Sequence, residues 1–192
     1  GQKLDISLYV SAVSALVNIG GNYLMSGQIP KRLGNQHANI VPYQTFQTQD
    51  GFMVIAVGND RQFADLCEVI GKPQYAEDDR FKTNPNRVKH REELIPLLEK
   101  IFIIKPTAYW LDACEKRQIP CGPIQNLKEL MNDPQLQARD MFIEHDHPAA
   151  GAIRMIGSPL KLSRTPVSVR YHPPEVGEHN DEIFSEEIIN KN

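Results

Sequence analysis

Cysteine, tryptophan, uninterrupted apolar runs and surplus positive charge are what this sequence has least of, and each shortage narrows its function. Its three cysteines, Cys67, Cys114 and Cys121, are widely spaced, with no CxxC and no companion histidine at zinc spacing. That argues against a disulfide-framed scaffold and favours a reducing compartment, the cytoplasm or, in a eukaryote, the mitochondrial matrix. No apolar run reaches the length that spans a bilayer, so no membrane partner is expected. The formal net charge of −3 gives no electrostatic case for nucleic acid or an anionic surface. The phosphate-cradling GxxxxGKS/T, the dinucleotide GxGxxG and the nucleophile-elbow GxSxG are all missing. His145 and His147 occupy alternate positions of one strand without a third ligand nearby, so no metal site is expected.

What is present fits a soluble globular chain of 192 residues, 41% apolar and 23% charged, large enough for one domain or two small ones. Its most informative stretch is Arg32-Leu-Gly-Asn-Gln-His-Ala-Asn-Ile-Val-Pro-Tyr43. Gly34 permits a positive φ, Pro42 fixes the backbone before a strand, and Asn35, His37 and Asn39 put three polar heads on a short path. A loop that only joined two elements would not need that composition, so it reads as one built to present amide and imidazole groups.

Around it the periodicities predict an α+β chain. Lys3-Leu-Asp-Ile-Ser-Leu8 alternates as a half-buried strand, followed by one helix to about Gly27. A strand opening the chain with nothing to pair with suggests a piece of a longer protein. Asp50-Gly51 between two β-prone runs predicts a hairpin, and Asn59 and Asp60 cap a helix to about Ile70. A helix from Thr83-Asn-Pro85 to Phe102 carries Arg87, Lys89 and Arg91 on its wet face, with Pro96 expected to bend or interrupt it. Ala108 to Arg117 is helical, with Trp110 and Cys114 inward. In Gln118-Ile-Pro-Cys-Gly-Pro-Ile124 two prolines and a glycine stiffen a turn with Cys121 at its apex, the best candidate for an exposed thiol; nothing beside it argues for a lowered pKa. Met141–His145 and Ala152–Ile156 read as a second hairpin. Proline then recurs to residue 174, and a last amphipathic helix from Asn180 turns Ile183, Phe184, Ile188 and Ile189 toward a partner. The expected organisation is a strand, helix and connector over 1–39, a compact α+β unit over 40–156, and an extended tail over 157–192.

Spacing alone names no reaction. Resemblance goes further: Gly1–Leu8, Arg32–Tyr43, Val57-Gly-Asn-Asp-Arg-Gln-Phe63, Ile119–Ile124, Asp133-Pro-Gln135 and Gly177-Glu-His179 together resemble the family III CoA-transferases, the formyl-CoA transferase or CaiB/BaiF-like group. The likeness runs nearly end to end and is closest to members that move CoA between small dicarboxylic acids with succinyl-CoA as donor. It implies the small α+β domain of that fold, with flanking strand, helix and tail belonging to a Rossmann-like large domain absent from this chain. It also implies an interlocked homodimer, CoA esters as substrates with no permanently bound cofactor, and a nucleophilic aspartate upstream of Gly1, so that this chain holds no catalytic residue and is inactive alone.

By the same resemblance Gly34, Asn35, His37 and Asn39 line the active-site loop and bind substrate, although the run of consecutive glycines seen in some members is replaced here. Leu8 corresponds to a position near the CoA nucleotide, and Pro120, Cys121 and Gly122 form a turn approaching the same cleft. Backbone amides at Gly34 and Asn35 would polarise the acyl carbonyl, with His37 or Asn39 on the acceptor carboxylate. Two other readings stay open: an α-methylacyl-CoA racemase of the same fold, which exchanges an α-proton through a His/Asp pair, and a non-catalytic binding or assembly module.

Overall fold

A computed structural model describes residues 3–184, which divide into two compact units, one ending at Ile124 and the other beginning at Gln125. The expected boundaries at 39 and 156 concern the domains of a longer protein and stay a proposal.

The first unit opens without the expected strand. Residues 3–7 have no regular structure, and Leu4 and Ile6 are more than three-quarters exposed. Alternation alone does not make a strand: a ladder partner must accept its backbone groups, and among the described residues none pairs with this segment. The single helix to Gly27 is instead two, α1 (Leu8–Ser14) and α2 (Val17–Ser26), bent by 69°. Neither buries a residue, so no packing holds their axes in line. Gly27 closes α2 in the left-handed region, φ 69°, its N–H donating to Tyr23 O at 2.7 Å. Among the described residues no single helix is long and apolar enough to cross a membrane; only the bent pair α1–α2 reaches that length and composition together.

Beyond the polar loop, β1 (Tyr43–Gln47) and β2 (Phe52–Ala56) pair antiparallel, Tyr43 opposite Ala56 and Gln47 opposite Phe52. The Asp-Gly signal therefore marks a real hairpin, but Asp50 has a different task from the one expected. Its carboxylate accepts from Thr107 N at 2.8 Å and Thr107 Oγ1 at 2.9 Å, tying the hairpin to the helix that begins there.

Next come α3 (Asp60–Val69), α4 (Gln74–Glu77), α5 (Asn84–Lys89), α6 (Arg91–Phe102) and α7 (Thr107–Glu115), then β3 (Cys121–Pro123). Asn59 caps α3 by accepting Gln62 N, as its position predicts. β3 adds to the free edge of β2, Ile55 opposite Cys121, giving the order β1-β2-β3. Val41, Phe46, Met53, Ile55 and Val57 from the loop end and sheet meet Phe63, Leu66, Leu94, Leu98 and Phe102 in one core. Trp110 closes it, its Nε1–H donating to Phe102 O at 2.8 Å.

Three expectations about the 83–123 region need correction. The helix breaks at His90, not at Pro96. The N–H that proline lacks would have bonded Glu92 O in the exposed first turn, where water replaces it, so α6 runs through. Cys121 sits on β3, half-buried, rather than at the apex of a turn, because the Pro-Cys-Gly-Pro run is extended and pairs with β2. Arg87, placed by its charge on the wet face, is fully buried. Its Nε donates to Val41 O at 2.7 Å, Nη1 to Phe81 O at 2.8 Å and Nη2 to Asp60 Oδ1 at 2.8 Å, and its guanidinium lies 4.3 Å from the centre of the Phe63 ring. A buried charge is tolerated when its donors are met in this way.

The second unit carries α8 (Leu127–Leu130) and α9 (Pro134–Ala138), capped by Asn126 and Asp133. The hairpin β4 (Phe142–His147) and β5 (Gly151–Ile156) follows, then an irregular run to the short α10 (Asn180–Ile183). His147 staples that run to the hairpin: Nδ1 accepts from Ala149 N and Ala150 N, and Nε2–H donates to Pro173 O. Ile188 and Ile189 lie outside the described residues.

Two outcomes follow. Arg87→Met strands two buried carbonyls and one carboxylate contact, and urea unfolding should show a loss of about 3–5 kcal/mol, as for other buried pairs broken on one side; a loss below ~1 kcal/mol would place the anchor elsewhere. Asp50 has its pKa held below the ordinary carboxylate value, chiefly by the Thr107 backbone N–H. Its contribution is therefore whole above the unfolded-state pKa, near ~3.9, and is lost as pH falls through the lower folded-state value. Asp50→Asn should unfold at a lower temperature than the parent at neutral pH, with the gap closing on acidification.

Candidate active-site loop

The loop Arg32–Tyr43 is held from two sides. On one side α2 supplies Asn18 and Asn22, one turn apart and facing the same way. Asn22 and Asn39 exchange both amide bonds, 3.1 and 3.0 Å. The Asn18 amide lies 3.2 Å from His37 Nε2. On the other side α5 and α6 grip the backbone. Asn84 Nδ2 donates to Asn39 O at 2.8 Å and Asn84 Oδ1 accepts from Val41 N at 3.1 Å. Arg91 Nη2 donates to His37 O at 2.6 Å and Ala38 O at 3.2 Å.

The loop also folds on itself. Gly34 takes φ +61°, and Asn35 Oδ1 accepts from Thr45 N at the start of β1. His37 stacks on Tyr43, ring centres 5.0 Å apart and nearly parallel, and its N–H donates to Tyr43 O. Asn39 N donates to His37 Nδ1 at 3.1 Å, which makes Nδ1 an acceptor, and Nε2 lies 3.2 Å from Asn18 Nδ2.

The structure thus gathers the four expected loop residues but gives them unequal freedom. Both amide atoms of Asn39 are consumed by Asn22, whereas Asn35 spends only Oδ1, on Thr45 N, and its Nδ2 has no partner among the described residues. His37 is oriented on both nitrogens and both faces of its peptide. The N–H groups of Gly34, Asn35 and Ala38 have no intrachain acceptor among the described residues. Leu8, the first residue of α1, is 91% exposed. Pro120, Cys121 and Gly122 line a cavity of about 530 Å³ with Leu111 and Glu115. Burial raises the Cys121 thiol above its ordinary value and pushes that of Cys114, in contact with it, up to about 12, so neither is poised as a nucleophile. Among the described residues no group of three or more His, Cys, Asp or Glu is placed to hold a metal ion.

A sequence profile of CoA-transferase family III, in the same chain, matches residues 1–180. The chain belongs to CoA-transferase family III. It is 37% identical over 186 residues to the succinyl-CoA:glutarate CoA-transferase of Homo sapiens, covering 97% of this chain and 42% of that protein. To the acetyl-CoA:oxalate CoA-transferase of Acetobacter aceti it is 37% identical over 163 residues, covering 85% and 41%. The crystal structure of a CaiB/BaiF family protein from Brucella suis matches with a TM-score of 0.75 at 36% identity, covering 97% of this chain and 48% of that one. The chain spans less than half the length of these relatives.

Within this family III chain the run Val57–Phe63 is structural. Asn59 caps α3, Gln62 Oε1 accepts from Gly58 N, and Asp60 Oδ1 takes both Asn84 N and Arg87 Nη2. Sequence reading missed Asn18, Asn22, Asn84, Arg87 and Arg91. The first two left a signal, two amides one turn apart on an otherwise apolar helix. The arginines left none, since a charged residue at helical spacing reads as solvated. Asn22→Ala should leave the Asn39 amide unpaired and lower stability by about 1 kcal/mol; hydrogen exchange should quicken at residues 37–41 and stay unchanged at Phe46 and Ile55.

Proposed function

We propose that the whole protein transfers coenzyme A between small carboxylic acids, dicarboxylates among them, and that this chain supplies one wall of the active site rather than the attacking group. The observation that carries this reading is the family match across residues 1–180 together with relatives, 37% identical, named for CoA transfer between succinate and glutarate or between acetate and oxalate. The proposal extends to the nucleotide lying near Leu8 and the turn Pro120–Gly122 bordering the same cleft. It includes a Rossmann-like large domain outside this chain and an interlocked homodimer.

The chemistry needs a carboxylate, already ionised at neutral pH and so requiring no base. It attacks the donor thioester, forming a mixed anhydride and releasing CoA thiolate. The thiolate adds back to the enzyme's acyl carbon, giving an aspartyl-CoA thioester and the free donor acid. The acceptor carboxylate then attacks that thioester, and the thiolate returned in this step takes the acceptor's acyl group, restoring the aspartate. Asp60 is a poor candidate for the attack, because its Oδ1 already accepts from Arg87 and Asn84. On the resemblance to the family, the nucleophile is assigned to an aspartate in a part of the protein outside this chain.

A carboxylate is a weak nucleophile, so positioning and oxyanion donors must supply the rate. The Gly34 and Asn35 N–H groups are assigned to the acyl carbonyl and the oriented His37 to the acceptor carboxylate, with the Asn39 backbone fixing the imidazole. Incubating the full-length enzyme with succinyl-CoA and glutarate in deuterium oxide tests the reading. A new CoA ester without deuterium at the α-carbon is the expected product, and His37→Ala should slow its formation about 10²-fold at subsaturating glutarate. Deuterium exchange without a new ester would point to the racemase chemistry instead.

A further inference from the structure

Arg91 is the side chain behind the loop that the preceding reading does not use. It sits at the start of α6, partly buried, and burial pulls its pKa below the ordinary guanidinium value. Its neighbour in sequence spacing, Arg87, is neutralised by Asp60. Arg91 has no carboxylate partner among the described residues: Glu93, the nearest acid along α6 with an ion pair, is taken by Arg80 and His90. Its bonds go to main-chain carbonyls, His37 O at 2.6 Å and Ala38 O at 3.2 Å, with Nη1 3.5 Å from Gln36 Oε1. A half-buried cation facing only carbonyl oxygens is uncompensated, and its field passes through whatever those carbonyls are joined to.

They are joined to two amides. The peptide whose oxygen is His37 O ends in Ala38 N–H, which has no acceptor among the described residues. The peptide whose oxygen is Ala38 O ends in Asn39 N–H, which orients the His37 ring through Nδ1. Pulling on a carbonyl strengthens the N–H across the same peptide as a donor. Positive charge entering at Arg91 therefore emerges at Ala38 N–H, on the same short turn as the three polar heads.

We infer that Arg91 is a positioning residue for a carboxylate subsite on this loop, with Ala38 N–H as its donor and the free carboxylate of the acceptor acid as its ligand. The inference rests on the reading of the loop as an active-site wall and deepens it: the wall is charged from behind, by a residue that does not touch substrate. A neutral isostere should then weaken the acid and spare the thioester, whereas a shorter cation should keep most of the effect.

The test compares full-length wild type, Arg91→Gln and Arg91→Lys, varying glutarate and succinyl-CoA separately. The expected result is a KM for glutarate raised about tenfold in Arg91→Gln, equivalent to about 1.4 kcal/mol, with the KM for succinyl-CoA unchanged and Arg91→Lys within about threefold of wild type. An unchanged glutarate KM in Arg91→Gln overturns the inference. So does an equal rise in both KM values in both variants, which is what a merely structural role would give. Should Arg91→Gln fail to fold, Ala38→Pro, which deletes the single N–H, is read in the same way. If wild type transfers no CoA, the proposed function has failed, and calorimetric titration with glutarate decides the subsite alone. Binding lost in Arg91→Gln and kept in Arg91→Lys upholds it, and equal binding in all three overturns it.

Discussion

The first unit depends on one buried guanidinium. Arg87 joins three segments distant in sequence: the end of the polar loop at Val41, the connector at Phe81 and the start of α3 at Asp60. Its bonds to Val41 O and Phe81 O meet carbonyls that no other donor reaches among the described residues, and the Phe63 face covers the remaining side. Removing water from a charge is costly, so the arrangement is stable only with all three acceptors in place at once. That requirement makes the loop's exit point a fixed position rather than a surface preference.

The loop then inherits its order from that anchor. Asn84, three residues before Arg87, binds the carbonyl of Asn39 and the amide of Val41, and Arg91, four residues after it, binds the carbonyls of His37 and Ala38. α5 and the start of α6 thus hold the loop's backbone from one side, while the amides of α2 hold its side chains from another. Pre-organisation of this kind is what the proposed active-site role requires, because little of the loop would remain to be ordered on binding.

Much of this was legible beforehand, and the failures share a cause. Gly34 in the left-handed region, the cap at Asn59, both hairpins and the core role of Trp110 followed from local chemistry. The strand at residues 3–7 failed because alternation signals a face, and a face needs a partner. Arg87 failed because periodicity assigns charged residues to water, and nothing local announces that three acceptors from elsewhere will surround one. The break at His90 rather than Pro96 failed for a related reason: a proline on the solvent side loses a bond that water replaces.

What the chain's own residues determined was the set of parts: turn glycines, caps, strand pairs, and the ordered motifs that mark membership of CoA-transferase family III. These are properties of short segments, where backbone sterics and nearest-neighbour hydrogen bonds decide the outcome. Which polar heads of the loop remain available, which are spent on Asn18, Asn22 and Thr45, and where uncompensated charge lies behind them were decided only by the tertiary structure. Those outcomes depend on groups roughly ten to fifty-five residues apart meeting at hydrogen-bond distance, and such meetings exist only once the core has closed around Arg87.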